Sequence, residues 1–581
     1  MLHWQEKLAK YGKIGPYGLT ASALILCSLI FRLILLALDY PAVNSDEGTM
    51  GIEAMHIAFQ GQHPIYLYGQ NYMGVLEAYL AAPFFRLFGV SEFTLRLDML
   101  IMFALFLLSM YWLGSLLYSK RLALLSLGLL SLATSDMLIQ QLRAVGGAIE
   151  TILFGSLLLV VAYRLAASAG RLQKSARGRY WLYLAWGFCA GIALWVHILV
   201  LPFVLTSGVL ILIFCYREWR SAAIPCLLLG LLLGGFLLIP GYSALGNALS
   251  TQGGGAVLSN ASPADLVNLV QKQFVSTFLW GIPLTTWFQP ICATTDLPYY
   301  GPTTASTLSC TLLQGAWSAG YVLLLCSSLL MAGTAGWRLW RQRQADGQSF
   351  GEVEQQKLLT QIARLLHLLT AVMVIGLYLH SPLSGLKPVS TRYLVGLLVA
   401  TPGILWPLWR VTGLGSRLSF KTSTGWLSRA ALVLVILVVL ASTISTLTTV
   451  PAAYAQAQQQ QKLVQDLLKM HITRVYLEYW TCYRLLFQSQ EQILCARPPY
   501  PQVVGGDRYS PDARAVQADP QLINPTIPFM FPTDKAGQTE ITAFEHYNLQ
   551  HGKSFREYML DSMALFIPIV SSQAQRQVIP A

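Results

Sequence analysis

The chain has 581 residues, 54% of them hydrophobic and only 11% charged, with a mean hydropathy of +0.51. Soluble domains carry about 25% charged residues, so the composition excludes an ordinary soluble enzyme and points to an integral membrane protein. The net charge of +12 does not call for nucleic acid, because short loops between apolar runs carry most of the Lys and Arg, where they set orientation and meet anionic lipid heads.

Runs of about 20 apolar residues can cross a bilayer. About eleven such spans are expected, over 17–38, 99–118, 121–138, 145–165, 181–197, 199–216, 222–241, 314–336, 365–380, 393–409 and 430–449. Lys and Arg concentrate in 1–16, 119–121, 164–180, 217–220, 337–364 and 410–429, which predicts a cytoplasmic N-terminus. Segments 39–98, 138–144, 242–313, 380–392 and 450–581 then face outward. Lys7, Lys10 and Lys13 resemble the charged head of a signal peptide, but the run after them is too long and no small-residue cleavage site follows. The first helix is therefore expected to be retained.

The first run is apolar except for Arg32 and stops at Asp39-Tyr40-Pro41, followed by Asn44-Ser45-Asp46-Glu47-Gly48. Carboxylates at the mouth of a membrane protein are expensive to desolvate and are often functional. Gly51–Gln60, with Ile52, Met55, His56 and Phe59 at helical spacing, predicts an amphipathic helix lying on the membrane surface. The stretch from His63 to Gly74 is dense in aromatics, amides and glycines, including Tyr68, Gln70, Asn71 and Tyr72. Those groups suit sugar rings and hydroxyls, and they equally suit an interfacial aromatic belt. Glu77 begins the next helix and is expected to face Asp46 across one pocket.

Segment 242–313 is rich in Gly, Ser, Thr, Pro and aromatics, with Gly253-Gly254-Gly255 at its centre. Arg143, Lys387 and Arg392 fall at the outer membrane boundary, where cations suit a phosphate and also snorkel to headgroups. In the C-terminal region, Ala452–Met470 reads as an amphipathic helix, Ile472–Leu477 as a strand, Tyr479–Gln488 as a helix, Gln492–Cys495 as a strand and 498–533 mostly as loop. A small α/β unit is expected there, making 450–581 a separate domain beyond a membrane domain of 1–449. Cys292 with Cys310, and Cys482 with Cys495, are local pairs on the oxidising side that could form disulfides. No Walker loop, dinucleotide fingerprint or HExxH motif occurs, and the nine histidines are scattered.

These features resemble a family. The first span, the outward Asp46-Glu47, the surface helix, YGQNYMG at 68–74, Leu76-Glu77-Ala78-Tyr79 and Arg96-Leu97 look like GT-C glycosyltransferases. More specifically, they resemble family 39, the branch of the protein O-mannosyltransferases and the lipid A aminoarabinose transferases. The likeness covers about residues 17–410. Further echoes are Arg143, Trp195-Val196-His197, Thr391-Arg392-Tyr393-Leu394, Tyr479–Arg484 and Arg497-Pro498-Pro499-Tyr500.

The resemblance implies a polytopic all-α GT-C bundle that moves a sugar from a polyprenyl phosphate to an acceptor hydroxyl on the extracytoplasmic face, with inversion. The acceptor would be a glycan, a lipid or a protein. The donor arrives by lipid, so no nucleotide domain is required. Asp46 maps to the family's general base, with Glu47 as the alternative base or a partner that raises its pKa, and Glu77 to the second acidic position. Tyr68, Gln70, Asn71, Tyr72, His63, Arg143, His197, Lys387, Arg392 and Tyr393 are the expected substrate contacts. Mg²⁺ or Mn²⁺ is a possible companion of carboxylates beside phosphate. The YGQNYMG setting of Glu77 departs from the Pro-rich one of those two branches, which leaves the substrate open. A transporter or flippase for lipid-linked sugars, and a polysaccharide polymerase or ligase, are the alternatives.

Overall fold

The computed structural model describes residues 15–70, 72–169, 176–237, 271–289, 294–297, 301–304, 308–346, 351–381, 388–412, 423–498, 507–517, 527–550 and 554–569. Its helices, in chain order, are α1 (Pro16–Ala37), α2 (Ser45–Met55), α3 (Leu76–Phe88), α4 (Leu97–Leu117), α5 (Lys120–Ser131), α6 (Ser135–Leu142), α7 (Ala148–Ala167), α8 (Ala176–Val196), α9 (Leu201–Cys215) and α10 (Ala223–Gly235). A short hairpin of β1 (Thr294–Leu297) and β2 (Gly301–Thr304) precedes α11 (Leu308–Asp346), α12 (Glu352–His380), α13 (Thr401–Val411) and α14 (Ser423–Leu447).

Among the described residues, eight helices are long and apolar enough to cross a membrane, or nine if one bent pair counts as a span. The expected eleven are therefore not reached, for local reasons. The run over 121–138 is broken into α5 and α6, bent by 90°. The described part of the run over 222–241 ends at residue 237 and gives the 13 residues of α10, and α8 begins with Arg177 and Arg179. The glycine stretch 253–255 and Cys292 lie outside the described residues.

Arg32 explains how the broken helix is held. Its side chain is fully buried, at 0% exposure. The guanidinium donates to Ser28 Oγ at 2.7 Å, to the Ser131 carbonyl at 3.0 Å and to Gln141 Oε1 at 2.6 Å. It also lies 3.8 Å over the Phe103 ring. Ser131 is the last residue of α5, whose end leaves carbonyls without intrahelical partners. A cation at a helix C-terminus is also favoured by the negative end of the helix dipole. Arg32 thus joins both halves of the break to α1.

Helices α8 and α10 pack through paired glycines four residues apart, Gly187 and Gly191 against Gly230 and Gly234. A Cβ on Gly191 would stand 2.6 Å from the Gly235 nitrogen, and Cβ atoms on the other three would land on facing carbonyls. Small residues at this spacing let membrane helices touch backbone to backbone. Gly187→Leu or Gly230→Leu is expected to cost about 1–3 kcal/mol by overpacking, read as a lower melting temperature in detergent, whereas Gly320→Leu, where a Cβ meets nothing, should leave it unchanged.

Beyond α14 the helix continues almost without interruption as the amphipathic α15 (Val450–Lys469) into a C-terminal α/β unit. The unit comprises β3 (Arg474–Leu477), α16 (Tyr479–Gln488), β4 (Leu494–Ala496), α17 (Ser510–Gln517), β5 (Phe529–Pro532), α18 (Lys535–Gln550), β6 (Phe555–Leu560) and β7 (Met563–Pro568). The sheet order is β4-β3-β5-β7-β6, with β4, β3 and β5 parallel and β7 antiparallel to both neighbours. Phe529, Phe531, Phe544 and Phe566 fill one face. The expected strand–helix–strand at 472–495 is present, while the segment expected to be loop contains both α17 and β5. Cys482 and Cys495 are bonded, tying α16 to β4. Cys310 is also in a disulfide.

Candidate active site

Asn44 caps α2, its side-chain oxygen accepting from the Glu47 amide at 3.0 Å. That cap puts Asp46 and Glu47 in the first helical turn, where the N-terminal dipole favours negative charge. Residues adjacent in a helix point to different faces, and the two carboxylates part accordingly. Asp46 keeps 13% of its side chain exposed and lines a cavity. Glu47 is at 0% and turns inward, gripped by Arg96 through Nε at 2.7 Å and Nη2 at 2.6 Å, with the Ala144 amide at 3.1 Å.

The amphipathic stretch expected over Gly51–Gln60 is divided between the end of α2 and a following π turn, His56–Gln60, which leaves Phe59 exposed. Nearly every residue from Ser45 to Met55 is buried, because α16 of the C-terminal unit packs directly on α2. Gly48 and Gly51 make that approach possible: a Cβ on Gly48 would land on the Tyr483 carbonyl, and one on Gly51 would stand 2.5 Å from the Phe487 ring. Ser45 Oγ donates to the Tyr479 carbonyl at 2.6 Å.

The cavity is lined by Asp46, Gln70, Tyr72, Met73, Val145, Gly146, Ala148, His197, Leu199, Arg392 and Tyr393. Five distant segments meet here. The loop from Ile65 to Gly74 is laid on the end of α8 by the Trp195 indole, which donates to the Ile65 carbonyl at 3.1 Å, and by the Gly74 amide, which donates to the Val196 carbonyl at 3.1 Å. His197 caps the next turn, its Nδ1 accepting from the Leu199 amide at 3.2 Å. Gly147, at φ +86°, leaves room for that imidazole; a Cβ there would stand 2.5 Å from its Cδ2. Arg392 donates to the Tyr393 hydroxyl at 3.2 Å and lies 5.2 Å from its ring centre.

Two residues not anticipated from sequence complete the site, both from the C-terminal unit. The Tyr479 hydroxyl donates to Asp46 Oδ1 at 2.6 Å, and Arg508 Nη2 reaches the same oxygen at 3.1 Å. Arg508 Nε donates to the Tyr479 hydroxyl at 2.9 Å. The Gln70 amide faces Arg508, and the orientation that satisfies both groups turns its oxygen to the guanidinium, accepting from Nη1 at 2.6 Å and Nη2 at 3.0 Å. Burial and the neighbouring Asp46 push the Tyr479 phenol above its ordinary range, so it remains a neutral donor. Burial opposes charge on Arg508, yet Tyr479 and Asp46 carry it above its usual value. No local pattern marked Arg508, since its partner lies 462 residues away.

Other expected site residues lie elsewhere. Arg143 donates to the Ala42 carbonyl and holds the loop before α2; it does not line the cavity. His63 is exposed. Tyr68 belongs to a neighbouring cluster, its hydroxyl meeting His56 Nδ1 at 2.9 Å and its ring stacked on Tyr509 at 4.5 Å. Asn71 and Lys387 lie outside the described residues. Glu77 is 1% exposed and does not line the cavity. One of its oxygens accepts from the Gly146 amide at 2.9 Å, so it supports the cavity wall from behind.

Burial, together with Glu150 and Asp98 nearby, holds the Glu77 carboxyl well above the ordinary carboxylate range. A carboxyl raised in the folded state stabilises below its unfolded pKa, and that contribution is lost as pH rises through the folded value. Glu77→Gln keeps an acceptor for Gly146 and removes this titration. It is expected to cost less than about 1.5 kcal/mol and to lessen the loss of thermal stability toward alkaline pH.

Among the described residues, no three His, Cys, Asp or Glu side chains stand together to hold a metal ion. The cavity offers a single carboxylate with arginines beside it, whereas Mg²⁺ and Mn²⁺ favour several oxygen ligands, so no step is routed through a metal here.

No family model matches the chain, and no curated protein matches it. Its structure is similar to that of ArnT from Cupriavidus metallidurans bound to undecaprenyl phosphate, at 12% identity and a TM-score of 0.48, over 95% of this chain and 98% of that one. The apo state of ArnT from the same organism is similar at 13% identity and a TM-score of 0.47, over 95% and 99%. The archaeal oligosaccharyltransferase AglB from Archaeoglobus fulgidus, in complex with an inhibitory peptide and a dolichol-phosphate, is similar at 12% and 0.45, over 96% and 75%. These are likenesses of overall arrangement; what the site can do follows from its own residues.

Proposed function

We propose that the protein is a membrane glycosyltransferase that moves a sugar from a polyprenyl-phosphate donor to an acceptor hydroxyl, with Asp46 as general base. The observation that carries this reading is a partly exposed carboxylate opening into a cavity that also holds an arginine, two tyrosines and an amide, at the end of an apolar bundle. The positive-inside pattern of the loops supports an extracytoplasmic site, in a cell or plasma membrane with the N-terminus cytoplasmic.

In this reading Asp46 takes the acceptor hydroxyl proton as that oxygen attacks the anomeric carbon. The bond from that carbon to the phosphate oxygen breaks, and the lipid phosphate leaves with the electron pair. Arg392 stabilises the charge developing on the phosphate, since a guanidinium fork matches its oxygens. Tyr479 aims Asp46, and Gln70, Tyr72 and Tyr393 hold sugar hydroxyls and ring faces. A single displacement inverts the anomeric centre. Glu47, committed to Arg96, orders the helix that presents Asp46.

The test uses protein in nanodiscs with radiolabelled polyprenyl-phosphate sugars and host membrane extract as acceptor. Label should move from lipid to acceptor, and Arg392→Ala should slow that step about 10²-fold or more, the scale of one lost oxyanion-type contact. Movement of intact lipid-linked sugar across the bilayer without transfer would favour the transporter and overturn the proposal.

A further inference from the structure

The contact between Arg508 and Asp46 has the geometry of a removable one. Arg508 gives Asp46 a single nitrogen at 3.1 Å, although a guanidinium bound to a carboxylate at full strength is bidentate and shorter. Its two tighter contacts are the Gln70 amide at 2.6 Å and the Tyr479 hydroxyl at 2.9 Å.

The backbone that carries Arg508 is by contrast fixed. The Tyr483 hydroxyl accepts from the amides of both Arg508 and Tyr509, and the Tyr509 ring is stacked on Tyr68. Gly69, at φ +71°, makes room for the Arg508 stem, since a Cβ there would stand 2.7 Å from its Cδ. The arginine head is therefore delivered to the cavity edge on a rigid strap, and its side-chain torsions are what remain to turn.

We propose that Arg508 is a positioning residue that guards Asp46, keeping the carboxylate paired until the phosphate of a lipid-linked donor draws the guanidinium off. The inference rests on the reading of Asp46 as base. A phosphate offers two oxygens to the fork where Asp46 takes one nitrogen, so a donor seated beside Gln70 competes well. Once released, Asp46 takes a proton from the acceptor hydroxyl, the new bond to the anomeric carbon forms, and the lipid phosphate departs with the electron pair.

The experiment reads Asp46 directly, by carbodiimide labelling of the full-length protein in nanodiscs followed by mass spectrometry. Arg508→Ala should label Asp46 about tenfold faster than wild type, the scale of one lost charge-assisted hydrogen bond. Undecaprenyl phosphate should speed wild-type labelling, and inorganic phosphate at equal concentration should not. Arg508→Gln is the second variant, used if Arg508→Ala fails to elute and melt as a folded protein. In the labelling assay, Arg508→Ala should no longer respond to undecaprenyl phosphate, because no guanidinium remains to be drawn off. Equal labelling in wild type and both variants, or wild-type labelling unchanged by undecaprenyl phosphate, would overturn the guard. A wild type that responds in labelling but transfers no sugar would instead sink the glycosyltransferase reading.

Discussion

Asp46→Asn is expected to lower sugar transfer by about 10²–10⁴-fold, the contribution of a positioned general base, while the protein inserts and folds as before. The substitution is nearly isosteric, and the carboxamide oxygen can still accept from Tyr479 and Arg508. Donor binding should survive, because the groups expected to hold phosphate and sugar lie on other segments. Glu47 should not take over the role: both its oxygens are committed to Arg96, and one also to the Ala144 amide. Turnover of Asp46→Asn beside wild type, with donor retention measured in parallel, checks the loss. Equal loss of binding and turnover would mean that Asp46 holds the donor rather than taking a proton.

The second large effect is on stability. Arg96→Met is expected to cost about 3–5 kcal/mol, because it leaves the Glu47 carboxylate buried without its paired cation. Both side chains are essentially inaccessible, at 1% and 0%, so water cannot step in. A fall in melting temperature on the order of 10 °C would match that cost. The double variant Glu47→Gln with Arg96→Gln removes both charges and should recover much of it, since replacing a whole buried pair is far milder than breaking one. If Arg96→Met melts like wild type, the pair is not what fixes the start of α2.

The sequence shows more of the bundle than of its closure. Hydropathy finds the long spans, and position together with the family resemblance picks out Asp46, Gln70, Tyr72, His197, Arg392 and Tyr393, which the fold gathers around one cavity. Hydropathy does not say where a run will break, and α5–α6 breaks at a point set by Arg32, a residue about 100 positions away. Nor does it say what will cover an amphipathic helix. The periodicity of α2 is real, but its second face meets α16, and only Gly48 and Gly51 hint at so close a neighbour. The different fates of Asp46 and Glu47 follow from helix geometry once Asn44 is recognised as the cap. Tyr479 stands in a stretch that echoes the family, but neither it nor Arg508 is marked as a site residue by its neighbours, because their roles exist only when the C-terminal unit docks on α2.

The most direct test of the central claim is the anomeric configuration of the product, read by NMR from a donor of known configuration at the carbon joined to phosphate. A single displacement with Asp46 as base predicts the opposite configuration in the glycoside formed. Retention would exclude a single back-side displacement and would contradict the account.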